Sequence, residues 1–383
     1  MGKMLTVTTM FLIQMIITFE TSGLYAMAPI LSNNFGINHS SIILVNIGFA
    51  LAGICAPFFG VASEKYGKKK FIIIGVSTFL IGSIITSYAN GATLFLVGRS
   101  IIGLGYYNLS GLLLAYLGDI VAYSNRGKIY GIIRAASGIG ILLSPLTSTY
   151  LISNFSLKVY YLIIAFITAI ILLLSFFIPK VEKRSSYKIS TVDIILIFRN
   201  RDGRLFLFLN FSMGTFLVLY FSYIAVHLEA FFNLSALNIG KVLTYSAFGT
   251  LSGIFIAGIL SDRIGKLKLT KIYYLILIAS IFLINIVNIH FIWIITFIMS
   301  LSFDGGWTII QTISSEIIPE ERGVFMSLVF FVVSLSLILF YIIGPVVYSY
   351  GGFLYTTVLS GFFIIISYIL FLKFAKNNTE KFN

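Results

Sequence analysis

This chain of 383 residues has little of what soluble proteins and enzymes are made from. Asp, Glu, Lys and Arg together make up only 10% of it, against roughly 25% in ordinary soluble domains. A single cysteine, Cys55, excludes an intramolecular disulfide and any multi-cysteine metal site. The three histidines, His39, His227 and His290, are too scattered to form a metal site. There is no phosphate-binding loop and no pair of carboxylates on one soluble element, so the sequence points away from an enzyme and from ATP-driven work. No cofactor or metal is called for.

What it has is apolar sequence. Hydrophobic residues reach 58% of the chain, more than a soluble fold of this length can hide. Runs of around 20 apolar residues, each enough to cross a hydrocarbon core of about 30 Å, recur from Leu5 to Phe374 with short polar joints between them. In lipid the backbone must satisfy its own hydrogen bonds, so these runs are expected to be helices. Twelve spans are expected: 5–31, 41–61, 71–89, 92–118, 129–153, 159–179, 205–231, 236–258, 270–288, 290–314, 324–349 and 352–374. Residues 1–19 resemble a signal peptide only superficially: the apolar run continues past Glu20 without a small-residue cleavage site, and is taken as the retained first span.

The net charge of +13 follows from topology. Of 26 Lys and Arg residues, Lys158 lies in an odd-numbered joint, Lys241 near the same-side end of span eight, and Arg99 and Arg134 within spans; the other 22 lie at the termini, in even-numbered joints or, as Lys271 and Lys373 do, within two residues of a span end on that side. The positive-inside rule then places both termini in the cytoplasm, with the chain in the cell membrane. No nucleic-acid partner is needed to explain the basicity.

The longest polar joint, Lys180 to Arg204, carries seven basic and three acidic residues and divides the chain. The expected organisation is a bundle over 1–179, a cytoplasmic loop over 180–204 and a second bundle over 205–383. The halves repeat each other. Gly60-Val-Ala-Ser-Glu64-Lys65-Tyr-Gly67-Lys68 after span two matches Gly258-Ile-Leu-Ser-Asp262-Arg263-Ile-Gly265-Lys266 after span eight, 198 residues on. Asp119 with Arg126-Gly127 matches Glu316 with Arg322-Gly323, and Ser144-Pro145 matches Gly344-Pro345 more weakly. Matches at so nearly constant a spacing mark two six-helix halves in the same orientation, a parallel repeat.

These loop motifs resemble the signature of the major facilitator superfamily of secondary transporters, Gly-x-x-x-Asp-Arg-x-Gly-Arg/Lys. The copy at Gly258–Lys266 is the better match, since the first has Glu64 and Lys65 in place of Asp and Arg. Arg99-x-x-x-Gly103-x-Gly105 in span four is similar to a second family signature. The resemblance covers the whole chain and implies two bundles that rock about a solute site near mid-membrane, in a protein that works as a monomer. It also implies a cytoplasmic gate, with Glu64 meeting the start of span eleven and Asp262 the start of span five. Lys68 with Asp119, and Lys266 with Glu316, are further expected pairs. Physically, Gly60 and Gly258 would let helices approach closely, Gly67 and Gly265 would allow tight turns, and the acids would suit a helix N-terminus.

Ionisable groups at bilayer depth are costly and mark function by default. Glu20 in span one and Arg99 in span four form a combination that the resemblance associates with proton-coupled members; Glu20 is read as the proton site and Arg99 as its modulator. Tyr106 shares a helical face with Arg99. Asp304 stands in line with Trp307 and Gln311 in span ten, and Asn210 with Tyr220 in span seven; all of these are candidate solute contacts. The expectation is a proton-coupled carrier, a symporter of a sugar or organic acid working by alternating access. The alternatives are a drug/proton antiporter, disfavoured by Ser144 where a Gly-Pro pair would stand, and a non-transporting sensor.

Overall fold

The computed structural model describes residues 2–121, 126–180, 200–318 and 322–378, with side chains throughout except at 2, 3, 64, 126–128, 130, 262, 322–324 and 327. Everything regular among them is helical. The chain divides into two compact units, Met1–Lys188 and Ile189–Asn383.

The first unit contains α1 (Gly2–Phe35), a broken segment α2, α3 (Lys68–Ser87), α4 (Ala92–Ile120), α5 (Arg126–Asn154) and α6 (Leu157–Phe176). α2 is built of Ile42–Asn46, Ile47–Ala52, Gly53–Cys55 and Ala56–Tyr66, the first and third being tight 3₁₀ turns. α1 packs on α5 and α6, and α4 is held between α2 and α3. In the second unit, α7 runs through Arg201–Phe216, a wide π turn at Leu217–Phe221, and Ser222–Phe232. It is followed by α8 (Ala236–Ile264), α9 (Lys266–Leu283), α10 (Ile292–Ile317) and α11 (Arg322–Asn377). α7 packs on α11, and α10 packs on α8 and α9. The packing of α8, α9 and α10 repeats that of α2, α3 and α4, so the duplication read in the loops extends to the helix neighbours.

Fifty-six residues of straight helix would run for about 84 Å, far longer than a bilayer is thick, and α11 does not run straight. Gly351 (φ −150°, ψ 21°) and Gly352 (φ 59°, ψ −148°) break it. Phe340 before the break and Phe363 after it have ring centroids 5.3 Å apart, and both touch Phe211 of α7. The two limbs therefore fold back on each other at the place where the sequence put the joint between 324–349 and 352–374.

Helix boundaries have local causes. Ser156 and Ser235 cap α6 and α8, their hydroxyls accepting from the amides of Val159 and Asn238, and Asn200 caps α7 by accepting from Asp202 and Gly203. Gly67 (φ 103°) and Gly265 (φ 93°) make the matching sharp turns into α3 and α9. Only glycine adopts that backbone without strain, as the repeat predicted. A side-chain carbon at Gly60 or Gly258 would meet open space among the described residues; the side chains at the starts of spans five and eleven, where the gate is expected to close, lie outside them.

Ten stretches among the described residues are long and apolar enough to cross a membrane, the last of them, Leu328–Asn377, containing the break. α9 falls outside that count because Lys266, Lys268 and Lys271 crowd its start. The distribution of side chains suits lipid. Phe58, Phe166, Leu173 and Phe255 are each more than 60% exposed, an arrangement that water would penalise. Inside, Ser and Thr hydroxyls bond back to their own helices, as Ser83 does to Phe79 and Thr168 to Ile164.

Candidate functional site

In the first unit, the polar groups at depth converge. Arg99 of α4 and Glu20 of α1 are both fully buried and form a direct ion pair from Nη1 to Oε1. Arg99 also donates from Nε and Nη2 to Oδ1 of Asn46, at 2.9 and 2.8 Å, and its guanidinium lies 4.7 Å from the centre of the Phe49 ring. Tyr161 of α6 donates its hydroxyl to Oε1 of Glu20 at 3.1 Å, while Oε2 of Glu20 is buried without a hydrogen-bond partner. Tyr106, about two turns along α4, packs in a tilted contact against Phe49 and edge-on against Tyr107.

Glycines make this convergence possible. A side-chain carbon at Gly103 would stand 2.8 Å from the backbone of Phe49, and one at Gly48 would overlap the Ser100 hydroxyl. α2 and α4 thus touch backbone to backbone, which brings Asn46 and Phe49 within reach of Arg99. Asn46 itself sits at the junction between the 3₁₀ turn and the following helix of α2, with φ −106° and ψ 2°.

In the second unit the corresponding helices carry a neutral network. Oδ1 of Asn210 accepts from Trp307 Nε1 at 3.1 Å and from Gln311 Nε2 at 3.2 Å. Its amide donates to Ser314 and to the carbonyl of Phe206. Asn210 is fully buried and committed on both sides, so it positions Trp307 and Gln311 rather than offering a free group of its own. Asp304 accepts from Thr250 of α8 at 2.6 Å. Tyr220 lies in the π turn, fully buried against Phe216 and Phe353, its hydroxyl without a hydrogen-bond partner. Such mid-helix π turns occur mostly at functional positions.

At the loop ends, Lys68 and Asp119 pair at 2.5 Å, and Lys266 and Glu316 at 2.8 Å. Equivalent residues of the two repeats therefore make the same contact. Arg263 is exposed. The side chains of Glu64, Arg126, Asp262 and Arg322, and hence the contacts expected of Glu64 and Asp262, lie outside the described residues.

Sequence reasoning did not single out Asn46, Phe49, Tyr161, Thr250 or Ser314. Asn46 carried a usable signal: an amide more than one turn inside an apolar span.

Buried polar groups inside stacked apolar helices, which account for nearly all the described residues, are the build of a membrane-embedded carrier. The profile of the Major Facilitator Superfamily matches residues 10–303 and 206–382, and the chain belongs to that family of solute transporters, which are not enzymes. It is 28% identical over 206 residues to an uncharacterized transporter of Buchnera aphidicola subsp. Schizaphis graminum, covering 51% of each chain. It is 20% identical over 323 residues to a probable 4-methylmuconolactone transporter of Cupriavidus pinatubonensis, covering 79% of this chain and 74% of that one. The chain spans about half the length, or less, of the first curated relatives it matches. Among solved structures it is similar in fold to a D-xylose-proton symporter, with a TM-score of 0.79 and 16% identity over 98% of both chains. It is similar also to the nucleoside transporter NupG, with a TM-score of 0.80 and 15% identity over 96% of this chain and 99% of that one.

Proposed function

We propose that the chain is a proton-coupled secondary transporter of a small organic solute, a sugar or organic acid, with Glu20 as the proton-carrying group and Arg99 as its electrostatic partner. The observation that carries the reading is the fully buried Glu20–Arg99 pair with one carboxylate oxygen left unpartnered. A group that alternates between charged and neutral must sit where a nearby countercharge can favour the charged form and apolar surroundings the neutral one. Glu20 has both.

In this reading the chain crosses the cell membrane twelve times, with α9 and the two limbs of α11 each counted as a crossing and both termini in the cytoplasm. The bundles, over 1–179 and 205–383 and joined by the 180–204 loop, alternate access to a central site. Trp307, Gln311 and Asp304 supply solute contacts, backed by Asn210 and Tyr220, and Tyr106 contributes from the first bundle. An indole face with amide and carboxylate groups suits a polyhydroxylated solute, and a D-xylose-proton symporter shares the fold. The ion pairs at the loop ends belong to a cytoplasmic gate with Glu64, Asp262, Arg126, Arg263 and Arg322.

The test is uptake by the purified protein in proteoliposomes, across panels of labelled sugars and organic acids, with and without an inward proton gradient. The wild type is expected to accumulate its solute only with the gradient, and Glu20→Gln to lose accumulation while retaining counterflow exchange. Accumulation that survives Glu20→Gln would rule out the assignment.

A further inference from the structure

We propose that Asn46 is a positioning residue for proton coupling: a neutral second anchor that holds Arg99 when Glu20 takes up a proton. This rests on the reading of Glu20 as the proton site.

Arg99 makes three of its hydrogen bonds to two acceptors, one to the Glu20 carboxylate and two to the Asn46 carbonyl. A guanidinium does not lose its proton inside a protein. When an O–H bond forms at the free Oε2 of Glu20, with the proton drawn from one aqueous face, the pair goes from neutral to a net positive charge that stays on Arg99. That charge then needs partners besides Glu20, and α2 supplies both: the amide oxygen of Asn46 and the face of the Phe49 ring. Breaking the same O–H bond toward the opposite face restores the ion pair. Neither α2 group changes its own charge through the cycle, so Arg99 keeps its place in both states.

The ionisable groups facing Glu20 are Arg99 and Tyr106 on α4 and Tyr160 and Tyr161 on α6; Arg134 on α5 acts on Tyr106. Of the residues that hold Arg99, α2 contributes the uncharged Asn46 and Phe49. Replacing Asn46 therefore alters the balance at Glu20 without removing a titrating group.

The consequences have opposite signs. In Asn46→Leu, Arg99 loses its neutral anchor and depends more on the Glu20 carboxylate, so proton uptake is disfavoured. In Asn46→Asp, a second carboxylate neutralises Arg99 and repels charge on Glu20, so proton uptake is favoured. Hydrogen bonds of a charged group are strong enough to shift each midpoint by about one pH unit.

The experiment measures gradient-driven uptake against pH in proteoliposomes of the wild type, Glu20→Gln, Asn46→Leu and Asn46→Asp, with counterflow exchange in the same vesicles as the measure of folded carrier. The half-maximal pH is expected to fall in Asn46→Leu and rise in Asn46→Asp. If Asn46→Leu gives no folded protein, Asn46→Thr is expected to move the midpoint the same way by less. Midpoints that stay at the wild-type value, or move in the same direction, overturn the role of Asn46 while leaving Glu20 standing. A wild type with no pH dependence overturns the reading of Glu20 itself.

Discussion

Removing either half of the Glu20–Arg99 pair should not cost the same. Breaking a buried ion pair by deleting one partner typically costs about 3–5 kcal/mol, because the survivor is left charged and unpaired. The survivors here differ. With Glu20→Leu, Arg99 remains charged, held by two bonds to Asn46 and by the Phe49 face; a desolvated cation–aromatic contact recovers about 2 kcal/mol. A cost of about 3 kcal/mol, the low end of that range, follows. With Arg99→Leu, the orphaned carboxyl can escape by taking a proton, and Tyr161 already donates to it. The cost should then fall to about 1–2 kcal/mol, that of a polar group imperfectly satisfied in an apolar site.

The double variant removes both charges and replaces them with apolar side chains, which is often close to neutral. Its cost should therefore be well below the sum of the two single costs, a coupling of at least about 1.5 kcal/mol for residues in direct contact. The assay is equilibrium unfolding of the four proteins in mixed micelles at neutral pH. If Arg99→Leu proved the more damaging single change, or if the double variant equalled the sum of the singles, the buried pair would not be the energetic unit described.

Three further variants test the packing and the second unit. Gly103→Ala, which sets a carbon 2.8 Å from the backbone of Phe49, should destabilise the protein by about 1–3 kcal/mol and abolish transport by moving α2 off Arg99. Gly60→Ala, placed in open space, should be neutral or stabilising by up to about 1 kcal/mol in the same unfolding assay. Asn210→Leu should leave Trp307, Gln311 and Ser314 without their shared partner, at about 2–4 kcal/mol. In a Trp293→Phe background the emission of Trp307, then the only tryptophan, should shift, and unchanged emission would show that its indole bond to Asn210 is not made.

The features readable in advance were those for which lipid or duplication leaves no alternative. A bilayer forces helices of about 20 apolar residues, and α4 covers the run expected at 92–118 while α3 covers that expected at 71–89 as far as Ser87. The turns at Gly67 and Gly265, and the pairs Lys68–Asp119 and Lys266–Glu316, were legible because each was written twice. Glu20 and Arg99 were legible because a charge at depth requires a counterpart. The neutral partners were less so: Asn46 signals only that an amide inside an apolar span needs some partner, Thr250 and Ser314 cost little in an apolar helix, and nothing in their spacing says which neighbour they meet. The 3₁₀ turn at Gly53–Cys55 does have a signature, since Pro57 just beyond it has no amide to bond the Gly53 carbonyl; the 3₁₀ turn at Ile42–Asn46 and the π turn of α7 have none, and tertiary packing sets them. Asn210 was identified as a solute contact from its helical face, yet its bonds are spent on positioning Trp307 and Gln311.

The two repeats also show which constraint outlived the duplication. In the first unit the close approach of α2 and α4 depends on Gly103, which faces Phe49, and on Gly48, which faces Ser100. Moving 198 residues on from Arg99 and Gly103 leads to Phe297 and Leu301 in α10, neither of them small. Yet α8 and α10 still touch at those two places, because Gly249 and Gly253 of α8 face the backbones of Phe297 and Leu301. The glycine has changed helix and the contact has stayed. A backbone contact needs space on one side only, so either helix can provide it, and selection for the packing does not hold the residue in place. The chemistry had no such freedom. Once Phe297 stands where Arg99 stands in the first unit, an acid at the place of Glu20 would be buried without a countercharge, and Val218 occupies that place. A buried charge pair is tolerable only as a unit, and the first bundle carries one where the second carries the neutral network around Asn210.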